Sequence, residues 1–593
     1  MNSAGAQLSP RSRLKALQRL GTETLDILVI GGGVTGAGVA LDAATRGLSV
    51  GLVEQRDLAS GTSSRSSKLF HGGLRYLEQR EFRLVAEALA ERGLMMSELC
   101  PHLARPVSFV YPLRGQVFER AYVGAGVALY DSMARRSPGR LPGHRHLGRR
   151  AAMQLVPALR PEALAGAIQY WDCQVDDARY TVELARTAAA YGATIATSVQ
   201  VTGLHREGDR VLGVKARCTE SGQELAIRAH QVINATATWT DQIQSLAGRG
   251  QLRVRASKGI HLVVPRDRIH SGAGMILRTA TSVLFVIPWR SPRLALSPTG
   301  AMSDSAADHG HWIIGTTDTE WNLDLAHPAA SRRDIDYLLG QVNQVLRTPL
   351  THEDIEGVYA GLRPLLQGES DDNSALSREH AVTQHVPGLI SVAGGKYTTY
   401  RVMARDAIDM AVGNLDHGVP PSCTERVPLL GAVGYQSRWN SRHRIAAEAK
   451  LHLGAVEHLL GRYGSQSDLL LALIADQPGL GEPIAHGGPY LRAEVIFAVT
   501  HEGAMHLDDV LTRRTRLSIE TFHRGVDCAH EVAQLMAGPR QWDERTILDE
   551  VNHYRQRVAA ERDSQTCADD RTADAVRMGA PEPRDVVAMA TLA

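Results

Sequence analysis

The first residues that could do chemistry form a glycine-rich turn, Gly31-Gly32-Gly33-Val34-Thr35-Gly36. An apolar run rich in β-branched residues, 25–30, comes directly before the turn, and residues 37–46 have a helical pattern that Gly47 closes. A second apolar run, 48–53, ends in Glu54. Strand, glycine turn, helix, second strand and terminal acid together form the complete fingerprint of a dinucleotide-binding βαβ unit. The pattern predicts that the phosphates of a dinucleotide lie at the start of this helix.

Each residue of the fingerprint has its own physical role. Gly31 permits the tight turn, Gly33 lets the backbone approach a pyrophosphate, and Gly36 lets the helix pack closely on the strand. Glu54 is placed to accept hydrogen bonds from the ribose hydroxyls of the adenosine half. A glycine-rich turn that binds nothing is the alternative, and it fits poorly once strand, helix and acid agree. The fingerprint alone does not distinguish NAD from FAD.

A polar stretch, 57–77, follows the second strand. It is dense in hydroxyls, glycines and cations, so it is too polar for a core, yet it has neither the prolines nor the repeats of a linker. This composition favours a loop and helix start wrapped around an anionic ligand. A solvated surface loop is the alternative.

These motifs closely resemble the FAD-dependent, respiratory glycerol-3-phosphate dehydrogenases. The resemblance rests on the glycine turn and on further stretches with the family's sequence and order: Thr62-Ser63-Ser64, Ser66-Ser67-Lys68-Leu69, His71-Gly72-Gly73-Leu74-Arg75-Tyr76-Leu77-Glu78, residues 170–179 and residues 508–515. A match of this length is far more specific than any single motif.

The resemblance implies an α/β fold, in which a split, Rossmann-like FAD-binding domain is combined with a β-rich substrate domain and a helical C-terminal domain. The expected FAD-binding segments are about 24–100, 170–255 and 355–415, interleaved with substrate-domain segments at about 101–169 and 256–354. Helical spacing predicts the C-terminal domain over 421–562. Residues 1–23 form a basic extension, predicted as a solvated tail or a lipid-contacting helix, and composition predicts a disordered tail at 563–593.

The family positions that match this sequence define a candidate site. His261 and Arg363 are the expected catalytic residues, since a histidine suits proton transfer near neutral pH. The residues expected to hold the substrate are Arg75, Tyr76, Thr317, Arg378 and Lys396. The residues expected to contact the cofactor are Gly31, Gly33, Gly36, Glu54, Thr62, Ser63, Ser67, Lys68, Ala235, Gly394, Gly395 and Thr398. Each of these arginines and histidines could instead be an ordinary surface or hydrogen-bonded residue.

A second glycine pair, Gly394-Gly395, follows an apolar strand and precedes a helix. Such a helix start can aim its N–H groups at the flavin end of the cofactor. An NAD enzyme has less need of this feature, so the pair favours FAD.

The resemblance also implies a reaction. sn-Glycerol 3-phosphate is oxidised to dihydroxyacetone phosphate while FAD is reduced, and electrons then pass to a membrane quinone. The hydrogen on carbon 2 leaves as hydride, the hydroxyl proton needs an acceptor, and cations must fix the phosphate. The implied location is cytoplasmic, with peripheral binding at the inner face of the cell membrane, and a homodimer is left open. Basic segments at 11–19 and 135–150 are the expected contacts with anionic lipid.

Composition excludes several other classes. The chain has 593 residues and a formal net charge of +1, so no global field points to nucleic acid. Six cysteines are scattered without a C-x-x-C pair, which argues against a disulfide framework, and no metal site is predicted. The first 24 residues lack the apolar core of a signal peptide, and no run is long and apolar enough to span a membrane.

Three alternative functions remain compatible with these residues. The first is an oxygen-using glycerophosphate oxidase of the same fold, although the extra insertion typical of such enzymes is not evident. The second is a non-catalytic flavoprotein that works as a redox-sensing or interaction module. The third is a flavin oxidase of amino acids, for which a preference for carboxylate over phosphate substrates would be the discriminating observation.

Overall fold

The computed structural model describes residues 6–115, 117–135, 139–248, 250, 252–279, 283–290, 310–367, 380–580, 582 and 584. The strands in these ranges are β1 Thr24–Ile30, β2 Val50–Val53, β3 Leu69–Phe70, β4 Arg105–Leu113, β5 Arg145–Gly148, β6 Gly166–Gln174, β7 Thr194–Ala196, β8 Val199–Glu207, β9 Arg210–Cys218, β10 Glu224–Asn234, β11 Val254–Pro265, β12 Gly274–Arg278, β13 Val283–Arg290, β14 Gly310–Gly315, β15 Thr319–Trp321, β16 Gly357–Leu366, β17 His380–Val386 and β18 Leu389–Gly394.

The helices in the same ranges are α1 Pro10–Thr22, α2 Val34–Thr45, α3 Arg75–Glu78, α4 Phe82–Leu94, α5 Phe118–Ala134, α6 Arg149–Leu155, α7 Asp177–Ala190, α8 Thr240–Leu246, α9 Arg332–Asn343, α10 Tyr400–Val412, α11 Tyr435–Asn440, α12 Arg442–Ala449, α13 Leu453–Tyr463, α14 Ser467–Asp476, α15 Arg492–His501, α16 Leu507–Asp509, α17 Leu517–Glu520, α18 Ala529–Arg540, α19 Glu544–Ser564 and α20 Asp570–Arg577.

The first sheet carries the glycine fingerprint. Its strands lie in the order β17-β18-β10-β1-β2-β7, and the β8–β9 hairpin joins through β9 to β10. β1 is parallel to β2 on one side and to β10 on the other, in a register that ends the three strands together. The residues that follow these strands, Gly31, Glu54 and Ala235, therefore meet at one edge, where open parallel sheets bind ligands. Helices α2, α7 and α10 pack together on this sheet around an apolar core.

The second sheet supports the candidate substrate site. Its strands lie in the order β15-β11-β14-β13-β12-β4-β6-β3, with β16 pairing with β11 and β5 with β6. The sequence interpretation placed residues 355–415 in the FAD-binding segments, but β16 forms a long antiparallel ladder with β11 in the second sheet. β16 joins the second sheet because pairing with β11 in this register buries its apolar face against the substrate-domain core. The predicted α/β class, with a first domain built from separate segments of the chain, a β-rich middle and a helical C-terminal domain, is confirmed.

The N-terminal segment differs from both sequence-based expectations. Residues 10–22 form α1, which Ser9 caps by accepting the N–H of Ser12. Leu17 and Leu20 are buried in the core beneath the first sheet, and Arg13 donates to the carbonyl of Thr197. Because the apolar face of α1 is used internally, the helix is not a loose tail, and contact of its exposed basic face with lipid stays a prediction.

The C-terminal tail also differs from expectation. Residues 570–577 form α20, although their composition predicted disorder. A buried cation holds the first residue of this helix in place. Lys258 Nζ lies 2.6 Å from Asp570 and 2.6 Å from Asp334, and Ser331 donates to Asp570 at 2.8 Å. The tail is thus an ordered contact of the substrate domain through residue 580.

Candidate active site and FAD cradle

The glycine turn has the geometry that a dinucleotide cradle needs. Gly31 has φ = +111°, and a side chain there would meet the carbonyl of Ala235 at 2.7 Å. A Cβ on Gly36 would lie 1.9 Å from the carbonyl oxygen of Gly31, so only glycine allows α2 to approach β1 this closely. Gly33, the residue before α2, has no side chain of its own to cap the helix. Backbone N–H groups at this helix start can therefore bind a pyrophosphate.

Glu54 is fixed beside the turn by main-chain donors. Its two carboxylate oxygens accept hydrogen bonds from the N–H groups of Gly32 at 2.7 Å and Arg56 at 2.8 Å. A cavity of about 240 Å³ extends from Gly31 and Glu54 to Trp239. The size of this cavity and its position at the carboxyl ends of parallel strands suit the adenosine half of FAD.

The polar loop after β2 forms the other wall of this cavity. Ser63 Oγ accepts the N–H of Val34 at 2.9 Å, and Thr62 donates to the carbonyl of Leu362 at 2.6 Å. These two hydroxyls fasten the loop to α2 and to β16. Thr62 and Ser63 therefore lie at the expected cofactor site, with their hydroxyls engaged by the protein.

Arginines from the C-terminal domain hold the start of the same loop. Asp57 accepts hydrogen bonds from Arg513 at 2.5 Å and from Arg514 at 2.7 Å through both of its oxygens. Charge-assisted, bidentate contacts of this kind are strong when they are buried and complete. The helical domain is thus part of the FAD cradle, and we refer to residues 57–68 as the FAD loop.

The far end of the FAD loop supports a second, larger cavity. This cavity has a volume of about 570 Å³ and is lined by Ser67, Tyr76, Thr316 and Arg363 among others. His261, on β11, lies directly behind Ser67, with its Nε2 atom 2.9 Å from Ser67 Oγ. The imidazole is 2% exposed, so any proton that it exchanges with a ligand in the cavity must pass by Ser67.

Burial and neighbouring cations determine the charge of His261. The pKa of this imidazole is lowered well below its ordinary value, first by burial and then by the positive charges of Arg363 and Lys68. Within the described ranges Nδ1 has no hydrogen-bond partner. His261 is therefore neutral at physiological pH and has a lone pair available to accept a proton.

Arg363 projects from β16 into the same cavity. It donates to the carbonyl of Thr317 at 3.1 Å and forms an ion pair with Asp318 at 3.2 Å, and its Nη2 atom is 3.1 Å from Thr316 Oγ1. The hydroxyl of Thr317 instead accepts the backbone N–H of Ile260 at 3.1 Å, and its side chain is buried. Thr316 lines the cavity and Thr317 does not, so contact between Thr317 and the substrate stays a prediction.

Lys396 and Tyr76 form a pair on another wall. The Lys396 Nζ atom lies 3.7 Å from the centre of the Tyr76 ring, which lines the cavity. Gly394 and Gly395 have φ values of +76° and +71°, and they turn the chain from β18 into the segment that carries Lys396. Thr398 Oγ1 accepts the N–H of His71 at 3.2 Å, which ties this second glycine turn to the cavity wall.

Lys68 does not reach the cofactor cavity. Its side chain is buried, and Nζ donates to Asp177 at 2.8 Å and to the carbonyl of Ser64 at 3.0 Å. Burial, together with the charge of Arg516, lowers the pKa of Lys68 to about 8, and Asp177 opposes this shift. Lys68 supports the FAD loop from beneath, and contact between Lys68 and the cofactor stays a prediction.

Two predicted residues lack a described side chain. Arg75 begins α3, and Arg378 lies outside the described residues. Sequence reasoning missed Trp239, Thr316 and Tyr359, which the structure brings to the cavities or to His261. An aromatic in a strand or before a helix is so often a core residue that no sequence signal marked Trp239 or Tyr359.

Across the described ranges, no group of three or more His, Cys, Asp or Glu side chains could hold a metal ion. In the same residues no helix combines the length and apolarity needed to cross a bilayer.

Comparison with known proteins agrees with this geometry. Residues 26–403 match the family model described as FAD dependent oxidoreductase, and residues 422–547 match the C-terminal domain of alpha-glycerophosphate oxidase. Fold and site together thus define an FAD-dependent oxidoreductase, and the expected cofactor, FAD, is confirmed.

The similar proteins narrow this class. The chain is 56% identical over 580 residues to glycerol-3-phosphate dehydrogenase 2 of Mycobacterium bovis, covering 98% of this chain and 96% of that protein. It is 33% identical over 560 residues to the mitochondrial glycerol-3-phosphate dehydrogenase of Arabidopsis thaliana, covering 89% and 85%. The structure of glycerol-3-phosphate dehydrogenase from Bacillus halodurans complexed with FAD superimposes with a TM-score of 0.74 at 29% identity, covering 93% and 98%. The chain belongs to the FAD-dependent glycerol-3-phosphate dehydrogenase family, as its motifs predicted.

Proposed function

We propose that this protein oxidises sn-glycerol 3-phosphate to dihydroxyacetone phosphate and passes the electrons to a membrane quinone. The observation that carries the proposal is the cavity of about 570 Å³ that Arg363 lines, with His261 behind one wall and Lys396 behind another. When bound, FAD supplies the hydride acceptor. The protein's own side chains orient the substrate and accept its hydroxyl proton.

The cations orient the substrate. Arg363 and Lys396 carry the fixed positive charge that a phosphate dianion requires, and each good charge-assisted hydrogen bond contributes about 1.5–3 kcal/mol. Asp318, which pairs with Arg363, holds the guanidinium in one orientation. A phosphate anchored in this way places the hydroxyl of carbon 2 at a fixed distance from the FAD loop.

The neutral imidazole of His261 accepts the hydroxyl proton. Ser67, whose Oγ contacts Nε2 and lines the cavity, connects the imidazole to the substrate hydroxyl. Desolvation keeps the imidazole uncharged before reaction, and the proton it receives balances the negative charge that develops on the substrate oxygen.

Anaerobic titration tests the dehydrogenase reaction. Addition of glycerol 3-phosphate to the purified, FAD-loaded protein should bleach the oxidised flavin absorbance. Arg363→Ala and Lys396→Ala should slow bleaching and weaken the substrate's apparent affinity while FAD content stays near normal. Lys215→Ala, at an exposed position in β9, is the matched control. Flavin that stays oxidised in the wild-type protein would show that the proposed substrate is wrong.

The surface beside this cavity supports a membrane quinone as electron acceptor. Val117 is 80% exposed and Phe118 is 83% exposed at the start of α5, and Tyr122, one turn on, is half exposed and lines the cavity. Exposed arginines flank this patch in the sequence, namely Arg114, Arg135, Arg140, Arg145, Arg149 and Arg150. Exposed apolar side chains combined with cations are the composition of a surface that enters anionic lipid headgroups.

An oxygen-dependent oxidase is the second candidate. The match of residues 422–547 to a domain described from alpha-glycerophosphate oxidase favours it. Steady-state assays with a quinone analogue and with oxygen separate the two functions. The dehydrogenase should reduce the quinone analogue rapidly and release little peroxide, whereas stoichiometric peroxide with poor quinone reduction would identify an oxidase.

A further inference from the structure

A third cavity lies on the opposite side of the FAD loop, between the substrate sheet and the C-terminal domain. Its volume is about 80 Å³, which is room for several waters. Five arginines line it: Arg65, Arg513, Arg516, Arg557 and Arg577. Glu561 is the one carboxylate among the described lining residues. Cationic groups therefore outnumber anionic groups on its walls.

Three of these arginines are neutralised from outside the cavity. Arg513 pairs with Asp57 at 2.5 Å, Arg516 pairs with Asp176 and Asp177, and Arg557 forms a short ion pair with Asp508. Their charges are compensated as buried charges must be. They form the walls of the cavity without requiring a ligand.

Arg577 and Arg65 are different. Arg577 is 4% exposed, and its guanidinium has two long contacts, 3.4 Å to His327 Nδ1 and 3.5 Å to Glu561. Arg65 donates to the carbonyl of Ala326 at 3.1 Å. In the part of the chain that the structure describes, neither guanidinium makes an ion pair as close as those of Arg513, Arg516 and Arg557.

Glu561 lies near several arginines, so it cannot neutralise both Arg65 and Arg577. It lies 3.5 Å from Arg577, 3.5 Å from Arg524 and 3.9 Å from Arg557. Burial and the charges of Arg557 and Arg56 lower the pKa of Arg65 to about 9, and burial also lowers the pKa of Arg577. Burial is the largest cause of both shifts; Glu561 opposes each of them, and Glu582 also opposes the shift of Arg577.

We propose that this cavity is a binding site for a free phosphate ion, held by the guanidiniums of Arg65 and Arg577. Arginine donors match phosphate oxygens in geometry, and a dianion balances the uncompensated charge. Arg65 belongs to the FAD loop and Arg577 to α20, so the ion joins the C-terminal segment to the back of the loop that cradles FAD. This assignment is independent of the identity of the enzyme's substrate.

Thermal unfolding of the FAD-loaded, full-length protein tests the site. Potassium phosphate, compared with potassium chloride at equal ionic strength, should raise the midpoint by about 2 °C or more, because a ligand that binds only the folded state stabilises it. Arg577→Gln should abolish most of this rise. Arg571→Gln, at an exposed position of the same helix, is the matched control and should respond as the wild type does.

Two further variants separate this site from the substrate cavity and guard against misfolding. Lys396→Gln should keep the rise, because that lysine belongs to the other cavity. Glu561→Gln adds to the excess of cations, so it should lower the apparent dissociation constant for phosphate severalfold by calorimetry. A rise that Arg577→Gln retains and Lys396→Gln loses would place phosphate in the substrate cavity and overturn the proposal, as would an unchanged affinity in Glu561→Gln.

One comparison distinguishes the free ion from a phosphate ester. Phenyl phosphate carries the same dianion on a ring that a cavity of about 80 Å³ cannot enclose. It should give no rise that depends on Arg577. An equal, Arg577-dependent rise would show that the site accepts esters, and the assignment to the free ion would be wrong.

Discussion

Tyr359 lies flat against His261, with ring centroids 4.8 Å apart and ring planes inclined by 12°. Its hydroxyl donates to the carbonyl of Ser66 at 3.0 Å, next to Ser67, whose Oγ contacts His261 Nε2. One side chain therefore contacts the imidazole and also fixes the loop that carries the hydrogen-bond partner of the imidazole. Asp177 holds Ser66 from the other side, at its N–H and its hydroxyl.

We expect substitutions at Tyr359 to slow flavin reduction more than they weaken substrate binding. Tyr359→Phe keeps the stacked ring and removes one hydrogen bond worth about 1 kcal/mol, so the rate should fall about fivefold. Tyr359→Leu removes the stack as well and should have a larger effect. Stopped-flow reduction at saturating glycerol 3-phosphate measures both.

Tyr337→Phe is the control for these variants, because Tyr337 is partly exposed on α9, away from the cavity. A purely structural role for Tyr359 would lower the unfolding midpoint and leave the rate per bound FAD unchanged. That result would remove the assignment of Tyr359 as a positioning residue.

Substitutions at two glycines of the fingerprint should have different effects. Gly36→Ala places a Cβ 1.9 Å from the Gly31 carbonyl, so it should disrupt the packing of α2 and destabilise the protein. For Gly33→Ala the nearest protein atom is Ser63 Oγ at 3.2 Å, so the chain should fold but lose FAD, because the methyl group occupies space needed by the pyrophosphate. Flavin content and unfolding midpoint distinguish the two outcomes.

Gly340→Ala is the control, since nothing lies within 4 Å of a Cβ at that helical position. It should keep full flavin content and the wild-type midpoint or a slightly higher one. A Gly33→Ala protein that purifies with full flavin would contradict the placement of the pyrophosphate at this turn.

The buried imidazole of His102 should make stability fall in acid. Burial and the charges of Arg105 and Arg179 lower its pKa from 6.5 to about 3, and across the described residues neither ring nitrogen has a hydrogen-bond partner. As pH falls below about 6.5, the His102 imidazole of the unfolded chain therefore binds a proton, whereas that of the native state does not. Stability falls with pH in this window. Between about pH 7.5 and about pH 5.5 the loss from this group is about 1.4 kcal/mol.

His102→Leu should remove this part of the acid sensitivity, whereas His443→Leu, at an exposed position, should not. Urea unfolding midpoints at the two pH values, compared between variants, isolate the contribution from that of the other buried histidines. Equal pH dependence in wild type and His102→Leu would show that His102 is paired or protonated in the native protein.

The sequence predicted those parts of the site that local patterns encode. Gly31, Gly36 and Glu54 follow from a βαβ unit whose residues are close in sequence, and each has the expected geometry. Lys68 and Thr317 show the limit of a motif. A motif indicates that a residue matters, but Lys68 binds Asp177 and Thr317 binds the backbone of β11, because packing decides which way each side chain points.

Long-range contacts could not be predicted in this way. Asp57 is held by Arg513 and Arg514, which lie 456 and 457 residues away along the chain. The packing of α1 could not be predicted either. Its basic residues suggested a lipid contact, but the structure buries Leu17 and Leu20 in the core. An amphipathic pattern predicts that a face is covered, but it does not identify what covers it.

Membrane binding should therefore depend on α5 and not on α1. Phe118→Ser removes an 83% exposed aromatic from the patch beside the cavity and should weaken co-sedimentation with anionic vesicles severalfold, with no change in flavin reduction by substrate. Leu548→Ser, at a 53% exposed position on α19, is the control and should bind vesicles as the wild type does. Salt should weaken binding further, because each well-placed arginine contributes about 1 kcal/mol that ions screen. If Phe118→Ser binds normally while Lys15→Ser on α1 does not, the docking surface lies at the N-terminal helix and the membrane contact proposed for α5 is wrong.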